Sequence, residues 1–111
     1  MATQANIFID QGSNYSNIIT VSGTSGSALN LTGYTVASQM RKSYTSSTAY
    51  NLNAAIYNAT AGQVRMTLTA TQAEAIPPGR YLYDLEIASG SGVKTRVVEG
   101  VATVTPQITQ I

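Results

Sequence analysis

The chain has 111 residues and contains no cysteine and no histidine, and its length suits a single domain spanning residues 1–111. The missing thiols and imidazoles exclude disulfides, thiolate or imidazole metal sites, cysteine nucleophiles and Ser-His-Asp triads, and no cofactor site is predicted. Six Lys/Arg against five Asp/Glu leave a net charge of +1, without the basic excess that nucleic-acid binding requires.

Charge is scarce throughout the sequence. Only 10% of the residues are charged, whereas soluble domains average about 25%. The polar surface must therefore come mainly from Ser, Thr, Asn and Gln, which supply 40 residues. So few charges give little repulsion between molecules, which favours a protein that works in contact with neighbours. An ordinary β-rich domain is the alternative interpretation.

The N-terminal segment has neither a basic region nor a long apolar stretch. Its apolar run, residues 7–9, is three residues long. This pattern predicts neither a signal peptide nor a transmembrane segment, and we expect no membrane partner.

Period-two alternation of apolar residues predicts seven main strands, each bounded by segments rich in Gly, Ser, Asn or Thr. In the sixth strand, Tyr81, Tyr83 and Leu85 are expected to face the core, and Asp84 and Glu86 the solvent. The predicted strands span residues 5–10, 16–22, 34–42, 53–58, 63–69, 80–88 and 93–105.

Two local features interrupt this strand pattern. Thr71 with Glu74 fits a capping box, and Pro77-Pro78-Gly79 ends any helix, so a short helix is predicted near residues 71–76. In the last strand the alternation shifts around Gly100, which predicts a bulge or bend there.

The arrangement of these elements predicts an all-β fold. Short strands at even spacing with one brief helix favour an antiparallel immunoglobulin-like β-sandwich of seven to eight strands, and a small barrel is the alternative. Segments 22–33 and 43–53 are predicted to be long loops. The tail, residues 106–111, is interpreted either as a frayed terminus or as an arm that adds a strand to a neighbour.

Asp84 and Glu86 form the strongest candidate for chemistry. Both lie on one face of one strand, about 6.5–7 Å apart along it, a separation seen in paired-carboxylate enzymes. The sequence favours a simpler interpretation, in which these acids pair with Arg41, Lys94 or Arg96 on neighbouring strands. The chain is therefore predicted not to be an enzyme.

The predicted interface residues lie in a loop and in the tail. Tyr44 and Tyr50 are interleaved with Ser and Thr, and tyrosines in such loops often anchor contacts with other molecules. Asn51, Ile108 and Ile111 complete the predicted set. The segment 89–95 has Gly and Lys but is predicted to be a hairpin turn, since a strand follows it.

Four blocks in order carry a family resemblance. Together they resemble small immunoglobulin-like β-sandwich structural proteins of tailed bacteriophages, including those of cyanobacterial phages, and the N-terminal modules of baseplate upper proteins. The blocks are IFIDQG (7–12), LNLTGYTVASQMRK (29–42), GRYLYDLE (79–86) and RVVEGVATVTP (96–106).

The resemblance implies a non-enzymatic virion component, assembled in the host cytoplasm. Such a protein binds capsid, tail or baseplate proteins and is repeated around a symmetry axis, in the tail/baseplate or neck; head decoration is the alternative. Recognition of a host-surface glycan through Tyr44 and Tyr50 is a hypothesis of another class. The residues expected to define the fold are Gly12 and Gly33 at turns, Arg41 and Asp84 as a cross-strand pair, and Gly100.

Overall fold

The computed structural model describes residues 3–22 and 28–108, which form nine strands and one short helix in two sheets. The predicted all-β sandwich is confirmed. The elements are β1 (Thr3–Gln4), β2 (Ile7–Asp10), β3 (Tyr15–Thr20), β4 (Thr35–Arg41), β5 (Tyr50–Asn51), β6 (Ala55–Asn58), β7 (Gln63–Leu68), α1 (Ala70–Glu74), β8 (Gly79–Ala88) and β9 (Lys94–Thr105).

The two sheets differ in size. The long sheet has the order β1-β9-β8-β4-β5, and β2 also pairs with β9; the short sheet has the order β3-β7-β6. Most neighbours are antiparallel, as predicted, but β1 and β2 both run parallel to β9. Within the described residues no helix has the length and apolar composition needed to cross a membrane.

The first predicted strand, residues 5–10, begins two residues late as β2, and a further short strand, β1, precedes it across the gap at Ala5 and Asn6. The Ala5 N–H still donates to the Glu99 carbonyl at 2.9 Å. The next N–H along β9, that of Val101, donates to the side-chain oxygen of Asn6 at 3.1 Å. A side chain thus replaces one backbone partner, and the parallel register continues on both sides of the gap.

The core lies between the two sheets and is built from alternate residues. On β7 the buried residues are Val64, Met66 and Leu68, and on β8 they are Tyr81, Tyr83, Leu85 and Ile87, as the alternation predicts. Full burial of such side chains stabilises a fold by about 1.5–3 kcal/mol each. The two buried tyrosine hydroxyls donate at 2.5 Å to carbonyl oxygens, Tyr81 to Pro77 and Tyr83 to Ala5.

The short helix begins earlier than predicted, and its cap is different. Thr69 is the N-cap residue: its hydroxyl accepts from the Gln72 N–H at 3.1 Å, and the Gln72 side chain accepts from the Thr69 N–H at 3.0 Å. The predicted capping box of Thr71 and Glu74 is therefore wrong. Thr69 with Gln72 and Thr71 with Glu74 both have capping-box spacing. Because β7 ends at Leu68, the pair that follows it directly, Thr69 with Gln72, caps the helix.

The register irregularity in β9 lies at Val97 and not at Gly100. Leu85 pairs with Val98 and Glu86 pairs with Arg96, which leaves Val97 without an opposite residue. Gly100 continues the regular ladder opposite Tyr83. Glycine is needed at position 100 for another reason, because a Cβ there would overlap the carbonyl oxygen of Ala5.

One side of the sandwich is closed by the segment that leaves β5. Leu52 donates its N–H to the Ser38 carbonyl of the long sheet at 2.9 Å and accepts from the Thr67 N–H of the short sheet at 3.0 Å. Part of the predicted loop 43–53 is thus structured, since β5 pairs with β4. The other side, along β3, has no such crossing within the described residues.

Candidate functional site

The outer face of the long sheet carries a groove of about 570 Å³. It forms where the outward residues of β4, β8 and β9 meet, because alternate residues of neighbouring strands point to the same side. Six candidate residues of the sequence line this groove: Arg41, Tyr44, Asp84, Glu86, Arg96 and Gly100. The polar and aromatic side chains that shape it include Gln39, Arg41, Tyr44, Asp84, Arg96 and Glu99.

An ion-pair network lies at the centre of the groove. The Nε of Arg96 is 3.3 Å from Oδ2 of Asp84, and its Nη1 is 3.8 Å from Oε1 of Glu99. Asp84 and Glu99 are direct cross-strand partners, so one guanidinium serves two facing carboxylates. Of the three cations predicted as partners, Arg41, Lys94 and Arg96, it is Arg96 that forms the ion pair with Asp84.

The charge of Arg41 favours the ionised form of Asp84, as expected of a predicted partner, but its hydrogen bonds go to other residues. Its Nη1 donates to the Ser46 carbonyl at 2.8 Å and its Nη2 to the Gln39 side-chain oxygen at 3.3 Å. These bonds hold the loop that follows β4 against the sheet. Arg41 is two residues beyond the position opposite Asp84, since Asp84 faces Gln39 and Arg41 faces Leu82.

Partial burial raises the pKa of Asp84 above its usual range, and the neighbouring charge of Glu86 adds to this. The positive charge of Arg96 acts in the opposite direction. A carboxylate held by a guanidinium is poorly placed to attack a substrate, whereas such a network suits binding of polar and charged groups. Among the described residues the acids form no group of three or more that could hold a metal ion.

The two predicted loop tyrosines are separated by the structure. Tyr44 is 79% exposed at the rim of the groove. Tyr50 lies in β5, partly buried, with its ring edge-on to Tyr81 at a centroid distance of 5.8 Å. Asn51 has a local role, since its side chain accepts from the Asn53 N–H at 2.8 Å where Asn53 adopts a φ of 52°.

The remaining predicted residues lie away from the groove. Gly12 and Gly33 both have a φ of 83°, a conformation that favours glycine at turns. Ile108 is 95% exposed beyond β9, and the neighbouring Gln107 N–H donates to the Gln11 side chain at 3.1 Å. Ile111 lies outside the described residues.

Sequence reasoning missed four exposed apolar residues, Phe8, Ile18, Tyr57 and Val93. Phe8 lies between two buried isoleucines on β2, so strict alternation already places it outside. Ile18 precedes Ile19 on β3, and alternation requires that one of the two faces solvent. That signal was present in the sequence, but it does not say which isoleucine is exposed.

Charge divides unequally between the two sheets. The short sheet lies wholly within the described residues and contains one charged side chain, Arg65, which stacks over the ring of Tyr57 at 4.7 Å. Its outer surface, here called the uncharged face, otherwise presents Ser, Thr, Gln, Ala and Ile side chains. Eight of the eleven charged residues lie on strands of the long sheet: Asp10, Arg41, Arg80, Asp84, Glu86, Lys94, Arg96 and Glu99.

No protein-family model matches this chain, and no curated protein matches it at a significant level.

Proposed function

We propose that the chain is a non-enzymatic structural protein of a tailed-phage particle. In this role it joins neighbouring particle proteins at a repeated site in the tail/baseplate or neck. The observation that carries the proposal is the division of its surface, with an ion-pair groove on the long sheet and an almost uncharged face on the short sheet. A subunit with two such different surfaces can bind two different neighbours at once.

The chemistry of each surface suits a protein partner. At the groove, Arg96, Asp84 and Glu99 offer charged hydrogen-bonding groups that select a partner by charge and orientation. At the uncharged face, contact with a neighbour requires little desolvation of charge, because Arg65 already stacks on Tyr57. Contacts of about 800 Å² per partner are typical of specific interfaces.

The test is the number of copies of this chain in purified phage particles, measured by quantitative mass spectrometry against the major capsid protein. We expect about six to a few dozen copies, as the symmetry of a neck or baseplate requires. Hundreds of copies would indicate head decoration instead. Absence of the chain from intact particles would overturn the structural role.

Glycan binding is a second candidate, because Tyr44 stands exposed beside the polar groove. An aromatic ring next to amide and charged side chains can stack on a sugar while those groups bind its hydroxyls. The test is quenching of tyrosine fluorescence by host-surface glycans in wild type, Tyr44→Ala and Tyr57→Ala. Quenching that is lost only in Tyr44→Ala supports this function, and no response in wild type eliminates it. Tyr57 is the matched control, since it is an exposed tyrosine of the other sheet.

A further inference from the structure

Strand β3 forms an open edge of the short sheet. The N–H of Val21, just after β3, donates to the Gly62 carbonyl at 2.7 Å. This bond shows which backbone groups of β3 point toward β7. Residues 15, 17 and 19 therefore bond to β7, and the N–H and C=O groups of Ser16, Ile18 and Thr20 point away from it. In the described part of the chain these outward groups have no strand partner.

The other edges of the two sheets carry features that prevent pairing with another chain. β1 and β5 have two residues each, β2 has four and ends in Asp10, and β6 is interrupted by a register shift at Tyr57. Short edge strands, charges and bulges are the usual protections of natural sheets. β3 has none of them: it has six residues in regular register, without charge or proline.

We propose that this edge pairs with β3 of a second copy of the same chain. The two strands run antiparallel about a two-fold axis at Ile18, so that Ser16 lies opposite Thr20 of the second copy. Each of the three outward residues then exchanges backbone hydrogen bonds, about six in total. The short sheet becomes one continuous six-stranded sheet across two molecules.

Charge allows a second copy as the partner and disfavours a basic strand. β3 contributes only Tyr, Ser, Asn, Ile and Thr, so two copies meet without any like-charge contact. The nearest charge on that face is Arg65, which lies directly across from Ile18 on the next strand. A partner strand bearing a cation would add to this positive charge, whereas an uncharged strand does not.

Side chains on the uncharged face also fit the two-fold register. Ile18 is 41% exposed, and at the axis it contacts Ile18 of the second copy, which covers both. Ser16 and Thr20 face each other across the pair, a combination that forms cross-strand hydrogen bonds. A contact of one strand is smaller than a standard interface, so association is weak in dilute solution and strengthens where copies are concentrated.

This inference goes beyond the proposed particle role and does not depend on it. The first test is sedimentation equilibrium of the full chain from about 10 μM to about 1 mM, the range of weak association. We expect a monomer–dimer equilibrium in wild type. Ile18→Lys places two cations in contact at the axis and should weaken the dimer at least about tenfold.

Ala55→Lys is the matched control for the charge. Ala55 lies in the same cross-strand row, opposite Arg65, but on the other edge of the sheet. This variant should dimerise like wild type. A chain that stays monomeric at about 1 mM, or a dimer equally sensitive to both variants, would overturn the pairing through β3. Near-ultraviolet circular dichroism verifies that both variants remain folded.

A mixture of charge variants tests the symmetry of the contact. Mixing Ile18→Lys with Ile18→Glu should give a heterodimer that associates more tightly than either variant alone, because only a two-fold axis at residue 18 brings the two new charges together. Failure of the mixture to associate would overturn this register.

Amide hydrogen exchange locates the contact. Protection of the Ser16, Ile18 and Thr20 amides should rise with concentration, while that of Phe8 on the β2 edge should not. Protection that is independent of concentration and disappears when residues 109–111 are removed would show that the chain's own tail covers the edge, and would overturn the proposal.

Discussion

The long and short sheets share one core but differ in how their strands are held. In the long sheet, side chains reinforce the ladder: the Ser38 hydroxyl donates to the Asp84 carbonyl, and the Tyr83 hydroxyl donates to the Ala5 carbonyl, both at 2.5 Å. In the short sheet, β3 relies on its backbone pairing with β7 and leaves one edge open. The inner faces differ as well, since the inward residues of β8 are all buried, whereas those of β3, Tyr15, Asn17 and Ile19, are only partly buried.

The two sheets also differ in how charge and side-chain hydrogen bonds are distributed. Charges and side-chain hydrogen bonds concentrate on the long sheet, where β8 pairs on both sides. The outer face of the short sheet is almost uncharged, which suits it to contact with another molecule. If the proposed pairing through β3 holds, stability and association depend on different sheets.

The largest effect is expected from the shared core. Leu85→Ala removes a fully buried side chain from the centre of the long sheet and should lower the free energy of unfolding by about 2–5 kcal/mol. Leu82→Ala, on the outer face of the same strand, should cost less than about 1 kcal/mol. Urea denaturation measures both variants, and equal losses would contradict the placement of the core.

Gly100→Ala tests how the N-terminal strands attach to the long sheet. The new methyl group would overlap the Ala5 carbonyl, so we expect a loss of about 1–3 kcal/mol. Exchange of the Ala5 amide, which bonds to Glu99, should accelerate more than that of amides in β7. Gly90→Ala is the control, since a Cβ there meets the Gly33 carbonyl at an ordinary 3.6 Å. Equal effects of the two substitutions would refute the close approach.

Tyr83→Phe tests the side-chain reinforcement of the long sheet. The Ala5 carbonyl loses its donor, so a loss of about 1–2 kcal/mol is expected at neutral pH. Burial raises the pKa of Tyr83 from 10.0 to about 12, so its contribution is complete below pH 10 and disappears as the pH rises toward 12. Urea denaturation across this range should show a shallower decline in Tyr83→Phe than in wild type. Parallel declines would contradict the assignment.

The smallest effect is expected at the groove. Asp84→Asn removes an ion pair with Arg96, but it also removes the repulsion from Glu86 and Glu99, so stability at pH 7 should change by less than about 0.5 kcal/mol. Because the pKa of Asp84 is raised, its ionisation disfavours the folded state. The stability of the variant relative to wild type should therefore increase as the pH rises from 3 to 7.

Arg96→Gln provides the contrast to Asp84→Asn. It leaves Asp84, Glu86 and Glu99 without the guanidinium that two of them share, so stability at pH 7 should fall by about 0.5–1.5 kcal/mol. Thermal unfolding at pH 3 and pH 7 measures both substitutions. If Asp84→Asn is the more harmful of the two, the ion pair matters more than the repulsion and the interpretation of the groove is wrong.

The sequence by itself determined the strands and which residues face the core. Period two is a local property, so Val64, Met66, Tyr83 and Leu85 could be assigned without knowing their partners. The helix was predictable to within two residues, but two capping pairs competed, and the end of β7 decided between them.

Only the tertiary structure decided the pairings. The parallel course of β1 and β2 along β9, the register shift at Val97 and the partnership of Asp84 with Arg96 depend on which strands become neighbours. The groove and the open edge of β3 follow from the same choice. The sequence of each strand determines which side chains alternate. The register between strands and the identity of the edge strands come from long-range packing, which local patterns do not encode.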